Sequence, residues 1–185
     1  MVDENDAFKA LSAVLARDER WRFLGNRSIE QHHAQISQYV LHEGVPDTVV
    51  QHFEIARNTW LYAFFNYRLL QVALMQAHVA GEEAIKVRAR LEGINLKSQQ
   101  ANTLEKLLKI AIDRCWLLDG NFTIVADLTP SYALRMQEYS QRLADAFRSL
   151  RNSLAHGEVL LDPNLGWAFL AIRDLINQLF PAPQT

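Results

Sequence analysis

The residues best suited to chemistry stand together late in the chain, in Leu150-Arg151-Asn152-Ser153-Leu154-Ala155-His156-Gly157-Glu158. This segment closes an amphipathic run. It sets a fixed cation, an amide and an imidazole within about a turn and a half of helix. Asn152 and His156 are four residues apart and share a face while the helix lasts. Arg151 is adjacent. Such a trio suits work on a phosphodiester. Arginine offers a permanent, forked charge to phosphate oxygens, and histidine titrates near neutrality and can accept or release a proton. The same residues also make a sound helix end. A cationic ring beside Gly157 favours the negative end of the helix dipole, and Arg151 can cap carbonyls or pair with Glu158. The residues alone leave both uses open.

Other candidates carry less. Glu30-Gln31-His32-His33 contains one Glu-x-x-His, whereas a di-iron bundle needs two such motifs with further glutamates. Its simpler reading is a solvated polar helix face. The Arg-x4-His spacing occurs a second time, at Arg27 and His32, but there it lacks the asparagine and begins a helix instead of ending one. The lone Cys115 lies among Ile110, Ala111, Ile112, Trp116 and Leu117, a setting in which free cysteine serves as a small apolar core filler. Glycine-rich phosphate loops, the His-Glu-x-x-His zinc motif and the Gly-x-Ser-x-Gly nucleophile turn are absent from the sequence. No cofactor and no metal are therefore expected.

The elements that must position these residues read as helices. Gly25, Gly44, Gly81, Gly93, Gly120 and Gly157 fall between helical patterns, where a left-handed cap uses them. Pro46, Pro130 and Pro163 stand where helices begin. Seven helical segments follow from these marks. The first runs from Asp6 to Leu24, and the second from Ser28 to Glu43 with a Ser28/Gln31 capping box. The third is long, Pro46 to Val79, with one ridge through Phe53, Trp60, Phe64 and Leu74 and a second through Leu61, Phe65, Leu69 and Val72. A helix apolar on two faces is central in its fold. A fourth short segment spans Glu82 to Leu91, and Thr103 caps a fifth. The stretch Asn121 to Thr129 reads as an extended loop or one short strand. Thr129-Pro130 opens a sixth helix with Tyr139, Leu143, Phe147, Leu150 and Leu154 inward. Asp162-Pro163 opens a seventh, with Phe169, Ile172, Leu175, Ile176 and Leu179 inward.

Composition agrees with one globular domain. The 185 residues are 49% hydrophobic and 22% charged, with a net charge of −2. One cysteine excludes an internal disulfide framework and a cysteine-rich zinc site. The acidic start, Asp3-Glu4-Asn5-Asp6, is unlike a signal peptide, and no stretch offers the ~18 uncharged residues of a membrane span. A cytoplasmic protein without a membrane partner is expected. From Ala84 to Arg151 there are 11 basic and 7 acidic residues, a local excess of four that suits guidance of RNA as well as an ordinary solvated surface.

Arg151-Asn152-Ser153-Leu154-Ala155-His156 resembles the signature of the HEPN (higher eukaryotes and prokaryotes nucleotide-binding) domain family: arginine, a polar residue that is often asparagine, a few residues, then histidine. In that family the signature lies near the end of a late helix and a final helix follows. The resemblance implies an all-α, up-and-down helical bundle of about seven helices, with one long central helix and at most one short strand. It covers residues 46–180, leaving 1–45 as a helical extension packed on the bundle and 181–185 as a frayed tail. Many HEPN proteins are metal-independent endoribonucleases of toxin–antitoxin and defence systems, acting as dimers with two signatures across a cleft. Others have lost catalysis and bind partners or nucleotides. The resemblance thus implies Arg151 and His156 as catalytic residues with Asn152 positioning them, a homodimer, RNA as substrate and a cognate antitoxin protein as partner.

Overall fold

The computed structural model describes residues 7–25, 27–126, 138–155, 165–180 and 182; for Leu24, Arg148, residues 150–155 and Leu165 it describes the backbone alone. Among the described residues the chain is all-α and has no strand. The described residues include seven α-helices: α1 (Ile29–Ser37), α2 (Asp47–Tyr62), α3 (Leu69–Leu91), α4 (Leu104–Asp113), α5 (Thr123–Ala126), α6 (Tyr139–Ala155) and α7 (Leu165–Leu179). The 23-residue α3 is the longest, and α2, α4, α6 and α7 all pack on it. No helix among the described residues is long and apolar enough to cross a membrane.

Two caps form as the sequence predicts. The Ser28 side chain accepts from the Gln31 N–H while the Gln31 side chain accepts from the Ser28 N–H, and Thr103 accepts from the Lys106 N–H. The inward residues of α7 are also as expected, with Phe169, Ile172, Leu175, Ile176 and Leu179 buried.

The expected long third helix is two helices. Its ridges belong to α2 and α3, which fold back on each other as a helical hairpin through the corner 63–68. Phe53, Trp60, Phe64, Leu70 and Leu74 are buried, with Phe53 and Trp60 packed on Phe169 of α7, whereas Val72 of the second ridge is exposed. No glycine or proline marks this corner. A continuous helix would bond the N–H groups of residues 67, 68 and 69 to the carbonyls of 63, 64 and 65. Here those groups have other partners. Trp21 Nε1 donates to the Ala63 carbonyl (2.9 Å), the Asp18 N–H to the Phe64 carbonyl (3.0 Å) and Lys9 Nζ to the Phe65 carbonyl (2.5 Å). The freed N–H of Tyr67 donates to Asp18 Oδ2 (2.8 Å), that of Arg68 to Asn66 Oδ1 (3.2 Å) and that of Leu69 to the Asn66 carbonyl (3.0 Å). Every backbone group that the break releases is thus satisfied.

That duty explains why the expected first helix does not form. Residues 7–25 contain two short 3-10 turns, Leu11–Ala13 and Glu19–Leu24, separated by an extended Asp18. Asp18 is buried, caps the second turn through the Arg20 N–H and pairs with the Arg20 guanidinium at 2.7 Å. Burial acts to raise its carboxyl pKa, but the bonds from Arg20 and Tyr67 outweigh burial and hold it below the ordinary carboxylate value. The second helix stops at Ser37 instead of Glu43, because the chain then crosses to α7. There Tyr39 packs on Phe169 and the His42 N–H donates to Asn177 Oδ1 (3.1 Å).

Three further expectations are corrected. Gly81 does not end a helix; it lies inside α3, so the segment from Glu82 to Leu91 is the last part of that helix. The stretch after Asp119 is neither strand nor extended loop as far as Ala126, since a 3-10 turn (Asp119–Asn121) leads into α5 and buries Phe122 and Val125. Cys115 is not core: it is exposed, at φ 55° just past the end of α4. The predicted helix starts at Pro130 and Pro163 lie outside the described residues.

Removing the Trp21 N–H leaves the Ala63 carbonyl buried without that donor. Trp21→Phe should therefore destabilise the chain by about 1–3 kcal/mol in denaturant unfolding. Arg22→Ala, which breaks only an exposed ion pair with Glu19, should change stability by less than about 0.5 kcal/mol.

Candidate functional site

The signature rides on α6, and α6 is located by a cap at its start and one ring in its middle. At its start the Ser140 N–H donates to Asp119 Oδ1 at 2.8 Å. Burial acts to raise the Asp119 carboxyl pKa, but bonds from Ser140, Tyr139 and Glu138 outweigh it and hold the group below the ordinary carboxylate value. A carboxylate from another part of the chain thus caps the helix N-terminus, where negative charge is favoured. In the middle, the buried Phe147 ring lies 4.4 Å from the His78 ring, centroid to centroid. It fills the space beside Gly81, where an added Cβ would stand 2.9 Å from Phe147 Cζ and 3.5 Å from Ile172 Cγ2. The absent side chain at Gly81 lets α6 approach α3 closely.

Arg151 and Asn152 follow Phe147 by four and five residues within α6. In the helix register this is about 6 Å farther along the axis than Phe147. The structure therefore describes the backbones of two signature residues within a well-anchored helix. His156 lies outside the described residues.

The other histidines have structural partners or none of the signature's context. His32 is fully buried, and its Nε2–H donates to the Trp60 carbonyl at 3.0 Å. Burial holds its pKa below the ordinary value, with the Arg27 charge acting in the same direction. The second Arg-x4-His match thus has a core histidine at its end, and the expected solvated face of 30–33 is only partly so: Glu30 and His33 are exposed, His32 is not. His78 donates from Nδ1 to the Leu74 carbonyl (2.8 Å), and burial pushes its pKa down to about 4. His42 Nε2 bonds the Asn177 carbonyl, and His52 Nδ1 lies 3.2 Å from Gln76 Nε2. Among the described residues no group of three or more histidine, cysteine or carboxylate side chains could hold a metal ion.

No family model, curated protein or solved structure matches this chain.

Two measurements follow. Gly81→Ala should destabilise by about 1–3 kcal/mol through overpacking against Phe147, whereas a glycine-to-alanine change inside an unobstructed helix stabilises by roughly 0.5–1 kcal/mol. Phe147→Leu in the same background should recover part of the loss. The two buried histidines set a pH dependence. In the unfolded chain they protonate near pH 6.5, but His78 does so only near 4 when folded. Acid therefore favours the unfolded state. Stability is full above pH 6.5 and should fall by on the order of 3 kcal/mol on His78's account as the pH drops to about 4. His78→Gln should flatten that part of the curve.

Proposed function

We propose that this chain is a metal-independent endoribonuclease of the toxin or defence type, a cytoplasmic homodimer whose site is Arg151, Asn152 and His156. The observation that carries this reading is the place of Arg151 and Asn152, four and five residues beyond Phe147 on a helix held against α3 by the Phe147–Gly81 contact. Support also comes from the order of elements, with the signature helix followed by a closing helix, α7, that packs on α3.

The chemistry follows from the residue types. The RNA's own 2′-hydroxyl attacks the neighbouring phosphorus, so a P–O2′ bond forms as the P–O5′ bond breaks. His156 takes the hydroxyl proton, and the Arg151 fork stabilises the charge that grows on the phosphate oxygens. The Asn152 amide positions the pair. The departing 5′ oxygen needs a proton, which His156 of the second protomer supplies. A two-fold axis makes this possible, because it sets each patch opposite its own copy. In this reading a cognate antitoxin protein is the natural partner.

A second reading, a non-catalytic helical module that binds a protein partner, is favoured by the N-terminal segment. Phe8 is 103% and Phe23 88% exposed there, with Leu11 and Leu15 also open to solvent. Large apolar side chains exposed within one short segment suit a partner-binding surface.

The deciding experiment incubates purified protein with labelled RNA and with DNA of the same sequence, with and without a chelator. Only RNA should be cut, because DNA lacks the 2′-hydroxyl. The chelator should have no effect, and the products should end in a 2′,3′-cyclic phosphate. Arg151→Ala and His156→Ala should each abolish cleavage, and light scattering should show a dimer. Cleavage that requires magnesium, or a monomer at micromolar concentration, contradicts the mechanism. Absence of cleavage over many RNAs favours the second reading.

A further inference from the structure

A cavity of about 580 Å³ opens between α1, the start of α5 and the first half of α7. Its volume is that of a small-ligand site. Two guanidinium groups line it, Arg27 from the segment before α1 and Arg173 from α7. Arg173 is held in place: Nη2 donates to Thr123 Oγ1 at 2.9 Å, and Nε lies 2.8 Å from Asp174 Oδ1. Asp174 is buried and also accepts from the Thr123 N–H (2.7 Å), so it offsets part of the Arg173 charge. Arg27 donates to Gln35 Oε1 and, among the described residues, lies within ion-pair distance of no carboxylate. The cavity therefore keeps an excess of positive charge. Arg27, Tyr39 and Arg173 line the same cavity; burial pushes the Tyr39 hydroxyl pKa up, while a bond from Gln35 and the two guanidiniums pull against it.

The remaining lining suits a flat, polar-edged group. Trp167 is 56% exposed at the cavity mouth, although the helix it belongs to is otherwise dominated by buried apolar residues. Gln35 and Gln38 offer amides, which can both donate and accept. A Cβ at Gly166 would meet only ordinary contacts, 3.7 Å from the Tyr39 hydroxyl and 3.9 Å from Gln35 Nε2, so a larger, branched side chain is needed there to fill the cavity.

We propose that this cavity binds a nucleotide, with its phosphate between Arg27 and Arg173 and its base stacked on the Trp167 indole. Paired guanidiniums match phosphate oxygens, and an exposed indole gives any base a stacking face. The nucleotide is either free or one residue of single-stranded RNA. The site stands whether or not the signature cleaves RNA.

Calorimetry with adenosine monophosphate, inorganic phosphate, adenosine and a six-residue oligoadenylate tests this on the full chain, with melting curves for each variant. Adenosine monophosphate should bind at least about tenfold more tightly than phosphate or adenosine alone. Arg27→Gln should weaken it about tenfold or more. Trp167→Ala, a change at an exposed position that leaves the core intact, should weaken it at least about fivefold while leaving phosphate affinity unchanged. Gly166→Val should block it. Binding of the oligoadenylate alone, with the same variant pattern, assigns the site to RNA; binding of the mononucleotide alone assigns it to a free nucleotide. The proposal is overturned if neither binds at millimolar concentration. It is equally overturned if phosphate binds as tightly as the nucleotide, or if folded Trp167→Ala and Gly166→Val proteins bind like the parent.

Discussion

Three consecutive peptide carbonyls, at Ala63, Phe64 and Phe65, must find donors outside their own helix, and the rest of the bundle depends on their doing so. Were they bonded to residues 67–69, α2 and α3 would be one rod and could not pack against each other. The donors come from Trp21, Asp18 and Lys9, tens of residues away in sequence. Asp18 works in both directions, giving its N–H to one side of the break and taking the Tyr67 N–H on the other. The N-terminal segment is therefore no appendage. It closes the corner around which the α2–α3 hairpin forms, and its own irregular backbone is the consequence.

With the hairpin made, α3 offers its neighbours a face of small residues. Ala73, Ala77, Ala80, Gly81 and Ala84 are all buried along it. Small side chains let helices approach, and large rings from those neighbours fill what space is left. Phe147 does this for α6, and with the Asp119 cap at the start of that helix it sets where the Arg151 and Asn152 backbones lie. The candidate chemistry thus hangs on packing: Arg151 and Asn152 sit where they do because a ring four residues earlier has only hydrogen to meet at Gly81.

The fold class and the best-formed caps were legible because they are local. Ser28 with Gln31, Thr103, and the apolar ridge of α7 each declare themselves within a few residues. What misled was every feature decided at long range. The α2–α3 corner has no breaker residue, since its cause lies in Asp18 and Trp21. Gly81 looks like a cap in sequence, yet its role is set by Phe147, which is distant in the chain. Cys115 sits among apolar neighbours, but the left-handed backbone after α4 turns it to solvent. The signature itself was legible as a motif, and the backbones of Arg151 and Asn152 are helical as expected. The polar cavity was not, because Arg27, Trp167 and Arg173 come together only when α1 and α7 are packed. The one local hint was Trp167, a large ring out of step with the buried ridge of its helix.

The central claim is that two signatures serve one phosphate, and the distance between them in the assembled protein tests it most directly. Ser149 is exposed on α6, two residues before Arg151, so a spin label there reports the signature's position without replacing it. In a Cys115→Ser background, a label on Ser149→Cys can be measured by double electron–electron resonance. The account predicts a single narrow population at short distance, as two helix ends facing one cleft require. No intermolecular distance at all, or a population set by opposite outer faces of a dimer, would contradict it.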